Sequence, residues 1–287
     1  MTSPESAIAN ETRPVRHVRP PSYNPLGALR AIGELPEYLD LFLTLCLHRA
    51  SVRYKQSLLG VGWALLQPLL LMAVYVVIFS ILVQMPSDGV PYPLFVFAGL
   101  LPWIYFSSAV TAATGCLVSH IQIVTKVYFP REILPLSYVI VGLIDFAMAS
   151  CVLALMMIFY HVRVGMTVLG VIPVLAVETV FVAALSLVFS AIQVRFRDLG
   201  LAMPLLMQLW MFASPVVYPM GRVPARLLPW YELNPMAGIL ENFRRVVLLR
   251  QPLDYHLLWI SLVISSVLLM ASYAYFKLQE ATMADVI

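Results

Sequence analysis

The chain has 287 residues, of which 61% are hydrophobic and only 11% are charged, and its mean hydropathy is +0.87. This composition excludes an ordinary soluble globular domain. The formal net charge is only +3, so the distribution of the charges carries more information than their sum. Runs of about 20 apolar residues recur, and each is long enough to cross a bilayer. The sequence therefore predicts an all-α polytopic membrane protein.

The N-terminal segment contains two parts that precede the first apolar run. Residues 1–25 are rich in proline and arginine and predict a flexible tail. The first 34 residues have no continuous apolar stretch, so we expect no cleavable signal peptide. Within segment 26–60, apolar residues recur at helical spacing, and these are Leu35, Leu39, Phe42, Leu43 and Cys46. This helix is too short to span, and we expect it in the membrane interface rather than on a soluble domain.

Residues 61–287 are predicted to form one six-span domain with a C-terminal tail. The six transmembrane helices are expected near 61–84, 93–118, 134–159, 167–192, 201–219 and 255–276. Residues 222–250 are too polar to span and too apolar for a free loop. Two short re-entrant or interfacial helices are therefore expected between spans five and six, with a single amphipathic surface helix as the alternative.

The distribution of lysine and arginine predicts the orientation. With the N-terminus inside, cytoplasmic segments hold twelve of the 18 Lys and Arg residues. The five arginines between Arg222 and Arg250 fall on the outer side and weigh against this orientation. All three lysines lie inside, however, at Lys55, Lys126 and Lys277. We therefore expect both termini in the cytoplasm.

The order of residues before the first span resembles a known family. VRYKQSLLGVGWALLQPLL is similar to the start of the first span in ABC-2 type permeases that export cell-surface polysaccharides, and the matching motif is Arg53, Tyr54, Lys55, Gln56, Gly60 and Trp63. KVYFPREILPLS resembles the family's cytoplasmic loop between spans two and three, and FKLQEATMADVI resembles its C-terminal tail. The resemblance covers the chain from about residue 35 onward, so the proline-rich tail is outside it.

This resemblance implies the partners and the location of the protein. It implies a homodimer in the bacterial cytoplasmic (inner) membrane, two copies of a separate ABC ATPase subunit, and a lipid-linked polysaccharide such as an O-antigen, a capsule or a teichoic-acid-like polymer. ATP and Mg²⁺ would bind to the ATPase, and no cofactor is expected in this chain. A P-loop requires Gly-Lys-(Ser/Thr), and none of the three lysines follows a glycine. Membrane lipid is an expected partner, and nucleic acid is not.

The loop between spans two and three is the predicted ATPase-coupling element. Its residues are Lys126, Val127, Tyr128, Phe129, Pro130, Arg131 and Glu132. A simple span boundary would account for Pro130 and Arg131 but not for two aromatic residues outside the bilayer core. Tyr128 and Phe129 are therefore predicted to insert into a pocket of the ATPase, with Arg131 and Glu132 fixing the register.

Polar and aromatic residues within the spans are candidates for substrate contact. The channel-lining candidates combine faces that stack on sugar rings with groups that bond sugar hydroxyls, and they are Trp63, Trp103, Tyr105, Trp210, Ser214 and Tyr218. An aromatic packing stripe is the alternative for span five. Asp145 and Glu178 lie midway along spans three and four, where carboxylates are costly. A proton relay is one use. We favour a structural role, in which the carboxyls are protonated or bonded to neighbours such as Ser186 or Tyr138, because the family resemblance implies that ATP supplies the driving force.

Two other functions stay open at this point. One is an ABC-2 type exporter of a drug or small amphiphile, although the Arg53–Trp63 motif favours polysaccharide. The other is a membrane glycosyltransferase or lipid-modifying enzyme, which would need a cluster of acidic residues at an interface. The sequence contains no such cluster, and its scattered Cys and His residues show no metal or nucleophile spacing and thus predict no metal site. We therefore expect a transport subunit that is not itself an enzyme.

Overall fold

A computed structural model of the protein describes residues 38–55, 60, 62–87, 89–126 and 129–286. The predicted tail 1–25, the segment 26–37, and Gln56, Val127 and Tyr128 lie outside the described residues. The α-helices are α1 (Leu39–Lys55), α2 (Gly62–Tyr75), α3 (Tyr92–Thr114), α4 (Cys116–Ser119), α5 (Ile121–Lys126), α6 (Ile133–Phe159), α7 (Val171–Arg195), α8 (Leu199–Phe212), α9 (Leu228–Glu232), α10 (Pro235–Val247) and α11 (Tyr255–Val286). A π-helix (Val76–Leu82) continues α2, and 3₁₀ turns occur at Met166–Gly170 and Met220–Arg222.

Five helical stretches in the described part of the chain are long and apolar enough to cross a membrane. They are Leu65–Leu82, Tyr92–Thr114, Ile133–Phe159, Met166–Arg195 and Tyr255–Glu280. Each begins and ends within a few residues of a predicted span, which confirms the all-α polytopic class and five of the six predicted spans.

Helix α8 covers only the first part of the predicted fifth span. Its 14 residues end at Phe212, and they rise about 21 Å, less than the roughly 30 Å of a hydrocarbon core. Pro215 has no backbone N–H, so a helix continuing through it would lose a hydrogen bond. Residues 213–219 form turns instead. A sixth complete span therefore stays a prediction.

Helix α3 forms the centre of the bundle. It packs against α2, α6, α7, α8 and α10, and its side chains are buried on every face, as with Leu94, Phe97 and Phe106. Helix α6 approaches closely at Gly142, because a Cβ atom there would lie 2.9 Å from Cδ2 of Tyr105. A helix that is apolar all round is expected in such an interior position.

A second, smaller core lies at the end of the bundle that carries α1 and the last turns of α11, here termed the terminus-bearing end. Buried side chains from α4 to α7 and from α11 form it, and they are Cys116, Leu117, Val124, Phe129, Ile133, Leu134, Leu187, Ala191, Val194, Phe276 and Met283. Phe42 and Leu45 of α1 pack against this cluster. Six helices are thus joined at this end, namely α1, α4, α5, α6, α7 and α11.

Helix α1 buries only part of the predicted face, since Phe42 and Cys46 pack inward while two of the predicted leucines do not. Cys46 is buried, and the guanidinium of Arg49 lies 3.7 Å from the centre of the Tyr138 ring on α6. Leu39 and Leu43, which the sequence placed with Cys46, are half exposed. The side of α1 that carries Cys46 and Arg49 packs on α6. The exposed leucines are therefore available for contact with lipid.

The region between α8 and α11 contains two short helices, α9 and α10, as predicted. Asn234 begins α10, since its Oδ1 accepts a hydrogen bond from the N–H of Met236. Helix α10 is buried against α3, α7 and α11. The Tyr92 hydroxyl donates to the Val217 carbonyl at 2.8 Å, and the Thr167 hydroxyl donates to the carbonyl of Val246 at 2.9 Å. These contacts join α10, the start of α3, the turn before α7 and the segment after α8 at the second end of the bundle, here termed the opposite end.

Candidate functional site

The predicted coupling segment is a structured connection at the terminus-bearing end. Gly115 separates α3 from α4, Lys126 ends α5, and residues 129–132 lead into α6. Pro130 opens this return, since its carbonyl accepts a hydrogen bond from the N–H of Ile133 at 3.1 Å. The last residues of the loop therefore have a defined position relative to the bundle.

Phe129 points into the protein and not toward a partner. It is only 5% exposed, and its ring belongs to the second core together with Leu134 and Phe276. The ring therefore fills a pocket of its own chain, which contradicts the predicted insertion into the ATPase. An aromatic side chain at the base of a span is buried here because α11 passes over it. The coupling role of the loop as a whole stays a prediction.

Arg131 and Glu132 bind the C-terminal helix. The N–H of Arg131 donates to Oε1 of Glu280 at 3.1 Å, and its Nη1 donates to the Glu280 carbonyl at 2.7 Å. Oε1 of Glu132 lies 2.6 Å from Nζ of Lys277, which also lies 2.9 Å from Oε2 of Glu280. The Tyr273 hydroxyl donates to Oε1 of Glu132 at 3.4 Å. These five residues are termed the loop–tail network.

The electrostatics of the network centre on Glu132, which is fully buried. Burial raises the pKa of its carboxyl group, and the ammonium of Lys277 opposes that rise. Without Lys277 the buried carboxyl would lose its compensating charge, and burial would then favour its protonated form. Sequence reasoning placed Glu132 at a partner interface and missed Lys277 and Glu280. Their i, i+3 spacing puts both on one face of a helix. This spacing was the one feature of the sequence that could have indicated an ion-pair network in the C-terminal helix.

Arg244 organises the opposite end from within α10. It is 2% exposed, its Nη1 donates to the carbonyl of Pro215 at 2.6 Å, and its Nη2 donates to that of Val216. Its guanidinium lies 3.9 Å from the centre of the Phe95 ring. Both carbonyls follow the end of α8, where backbone groups lack helical partners. For this residue the alternative of an amphipathic surface helix is wrong.

Asn234 ties the same segment to the start of α10. Its Oδ1 accepts from Nε1 of Trp210 at 3.2 Å, and its Nδ2 donates to Oγ of Ser214 at 2.9 Å. The hydroxyls of Tyr218 and Tyr231 lie 2.8 Å apart. Arg244, Asn234 and residues 213–218 are termed the opposite-end network. Trp210, Ser214 and Tyr218 are therefore held by hydrogen bonds within the subunit.

Exposure separates the six channel-lining candidates. Trp63, at the start of α2, is 50% exposed. Trp103, Tyr105 and Ser214 are buried inside the subunit, which contradicts their predicted position on a channel surface. They are buried because α3 is central to the bundle and α10 covers the segment after α8. Trp210 and Tyr218 are half-buried.

Two exposed glutamines that sequence reasoning missed lie on apolar helices. Gln67 belongs to α2 and Gln208 to α8. The two helices are neighbours, because the Tyr75 hydroxyl donates to Sδ of Met211 at 3.5 Å. An amide with no partner in lipid costs several kcal/mol. The exposed sides of these two helices, here termed the α2–α8 face, therefore suit contact with protein or with a polar substrate.

The two intramembrane acids have different surroundings. Glu178 is 1% exposed, and neither carboxyl oxygen has a hydrogen-bond partner within the described ranges. Its suggested partner Ser186 does not bind it, since that hydroxyl also lacks a partner there. Asp145 lines a cavity of about 100 Å³ together with Gln67 and Ser108, roughly the volume of three water molecules.

Comparison with known proteins shows similarity along most of the chain. Residues 41–248 match the family described as ABC-2 type transporter. The chain is 32% identical over 261 residues to the O-antigen export system permease protein RfbA of Myxococcus xanthus, covering 90% of this chain and 99% of that protein. It is 28% identical over 251 residues to RfbA of Klebsiella pneumoniae, covering 86% and 95%. It is 20% identical over 212 residues to the polysialic acid transport protein KpsM of Escherichia coli, covering 71% and 80%.

Proposed function

Because the chain belongs to the ABC-2 type transporter family, we propose that it is the membrane subunit of an ATP-driven exporter of lipid-linked cell-surface polysaccharide. One observation carries this proposal: the described residues contain five apolar spans, and the chain matches O-antigen export permeases over nearly its whole length. The polymer is taken across the bacterial inner membrane from the cytoplasmic side.

The energy comes from a separate ATPase subunit, present in two copies, that binds ATP and Mg²⁺. The sequence supports this division, since no Gly-Lys-(Ser/Thr) motif occurs in it to hold the phosphates. This subunit then forms the path for the polysaccharide, and the ATPase supplies the free energy of ATP hydrolysis.

A second copy of the chain pairs with the first along the α2–α8 face. The span Leu65–Leu82 is only 6% buried, against 78% for Tyr92–Thr114, so α2 packs on α3 and α6 with one side and leaves much of its surface open. Trp63, Gln67 and Gln208 are exposed on these two helices. Aromatic and amide groups suit the apolar faces and hydroxyls of sugar rings. The polysaccharide path therefore lies between two such faces.

Both termini face the cytoplasm in this arrangement. The terminus-bearing end then lies on the side where lysine and arginine are enriched. The arginines from Arg222 to Arg250 are the main objection, but Arg244 donates to backbone carbonyls inside the protein and does not act as a surface charge. Arg244 therefore does not count against the predicted orientation, and four of the five outer arginines still do.

The motion of the ATPase enters through the loop 126–132. This loop is bonded to α11 by the loop–tail network, and its Phe129 lies in the second core. A displacement of the loop therefore moves α11 as well, because the two are bonded to each other.

Complementation of a bacterial strain that lacks its own O-antigen permease tests the proposal. The chain is expressed with and without an O-antigen export ATPase, and polymer on intact cells is measured by antibody labelling. We expect surface polymer only when both subunits are present, with lipid-linked polymer retained inside otherwise. Surface polymer that does not depend on this chain would overturn the proposal. Export of small amphiphilic dyes but not of polymer would favour the drug-exporter alternative.

A further inference from the structure

Helix α11 connects the two ends of the molecule physically. It has 32 residues, and a helix of that length extends about 48 Å. At the terminus-bearing end it is bound to the loop by the loop–tail network. Near its start it is bound to α10, since Oγ of Ser261 donates to the Pro235 carbonyl at 3.2 Å and the N–H of Asp254 donates to Oδ1 of Asn242 at 2.7 Å. It also packs along α7.

The loop–tail network is not needed merely to hold the loop and α11 together. Phe129, Phe276 and Met283 already join them in the second core. A buried pair such as Glu132 and Lys277 is often no more stabilising than apolar residues of the same volume. The pair does constrain geometry, because both charges must stay within bonding distance. Such a constraint suits a connection that has to transmit displacement.

We infer that Lys277 and Glu280 are positioning residues for ATP-driven transport. By holding Arg131 and Glu132, they make the loop and α11 move together. A displacement of the loop by the ATPase then shifts α11 and, through it, α10 at the opposite end. This inference rests on the proposed function, because it requires an ATPase that acts on the loop.

The first test uses the full chain in its complex with the ATPase, reconstituted in liposomes with lipid-linked O-polysaccharide. The amount of complex, the rate of ATP hydrolysis and the polymer exported per ATP are measured for Lys277→Met and Glu280→Ala. We expect the amount of complex and the hydrolysis rate to stay within about twofold of the wild type. We expect export per ATP to fall by about tenfold, equivalent to roughly 1.4 kcal/mol of coupling.

Two controls separate the effect of the network from a general loss of charge. Lys277→Arg keeps the positive charge and should retain most of the export. Arg195→Gln removes an exposed cation at the same end, outside the network, and should leave export per ATP unchanged.

Reversal of the charge pair supplies the second test. Glu132→Lys and Lys277→Glu each place like charges together, and both should reduce export per ATP. The double variant restores opposite charges and should recover about tenfold over either single variant. Recovery of this kind is not expected if each residue acts independently.

Several results would overturn the inference. Unchanged export per ATP in both Lys277→Met and Glu280→Ala would do so. Loss of folded subunit in proportion to lost export would show that the network only supports folding. Absence of recovery in the double variant would show that the charges do not act as a pair. A wild-type complex that forms but exports no polysaccharide would instead remove the proposed function, and the inference with it.

Discussion

The two ends of the molecule are held by different kinds of interaction. At the terminus-bearing end, side chains from two distant segments pair by charge, as Glu132 does with Lys277. At the opposite end, Arg244 donates to backbone carbonyls of the segment that follows α8. A carbonyl is present in every residue, so the two contacts of Arg244 depend on the side chain of the donor alone. The charge pair depends on both of its members.

This difference determines how each end responds to substitution. A charge pair works in either direction, so a change in one partner is open to compensation by the other. The carbonyls of Pro215 and Val216 require a donor that reaches both at once, and a guanidinium has the necessary fork. The contacts of Arg244 therefore tolerate no exchange of partners, while the charges of Glu132 and Lys277 are interchangeable.

Arg244→Leu is expected to have the largest effect on stability. It leaves two buried carbonyls without their donor, each of which costs about 1–3 kcal/mol, and it also removes the contact with Phe95. Arg244→Lys should recover little, because an ammonium does not present two parallel donors. Thermal unfolding of the purified subunit in detergent measures both variants.

The neighbouring arginine provides the control. The Arg245 side chain is 27% exposed, and its Nη1 lies 4.0 Å from Oδ2 of Asp254. Pairs of this kind contribute about 0–1 kcal/mol, so Arg245→Leu should change the stability little. Equal destabilisation by the two leucine variants would contradict the role given to Arg244.

Phe129→Ala is expected to have the next largest effect, this time at the terminus-bearing end. Loss of a buried phenylalanine ring typically costs about 3–5 kcal/mol, and the ion pairs beside it should moderate the loss by holding the loop in place. Phe196→Ala removes a ring that is 61% exposed at the same end and should cost far less. A loss of ATPase binding by Phe129→Ala without a loss of stability would restore the view that the ring anchors the partner.

Phe129 also shows what the sequence was able to establish. Five spans were predicted correctly because about 20 consecutive apolar residues identify a span without any knowledge of its neighbours. An aromatic residue just outside a span has no such signature. It has the same local sequence whether it packs inward or against a partner, and only the position of α11 decides between the two.

Contacts between distant segments account for the other differences. Arg131 and Glu280 are 149 residues apart, and no local pattern relates them. Helix α3 is apolar on all faces, so periodicity gives no indication that Trp103 and Tyr105 point inward. In residues 222–250 the sequence predicted short helices correctly, but no local pattern showed that Arg244 is covered by the segment after α8.

Lys277→Met is expected to make stability depend more strongly on pH. Glu132 is faced by Lys277, Glu280, Tyr273 and Arg131, and burial raises the pKa of its carboxyl group while Lys277 opposes the rise. Without Lys277 this pKa should rise further above that of the unfolded chain. Such a group favours folding at low pH, and its contribution is lost as pH rises through the folded-state pKa.

The variant should therefore lose unfolding free energy, relative to the wild type, as pH rises from the ordinary glutamate pKa of 4.5 through the neutral range. Unfolding of the detergent-purified protein across this range measures the loss. The double variant Lys277→Met/Glu132→Gln has no carboxyl group to titrate and should lose the added dependence. If the dependence persists in the double variant, Glu132 is not its source.

Single cysteine substitutions are expected to have the smallest effect on stability, and their labelling reports which side of the membrane each end occupies. Ala225 and Gln122 are exposed, at the opposite end and the terminus-bearing end respectively, so cysteine there should change stability by less than about 0.5 kcal/mol. In a background without Cys46, Cys116 and Cys151, an impermeant thiol reagent should label Ala225→Cys in intact cells. Gln122→Cys should be labelled only after lysis. The reverse pattern would put the loop–tail network outside the cell, beyond reach of any ATPase, and would thereby remove the proposed route of coupling at its first step.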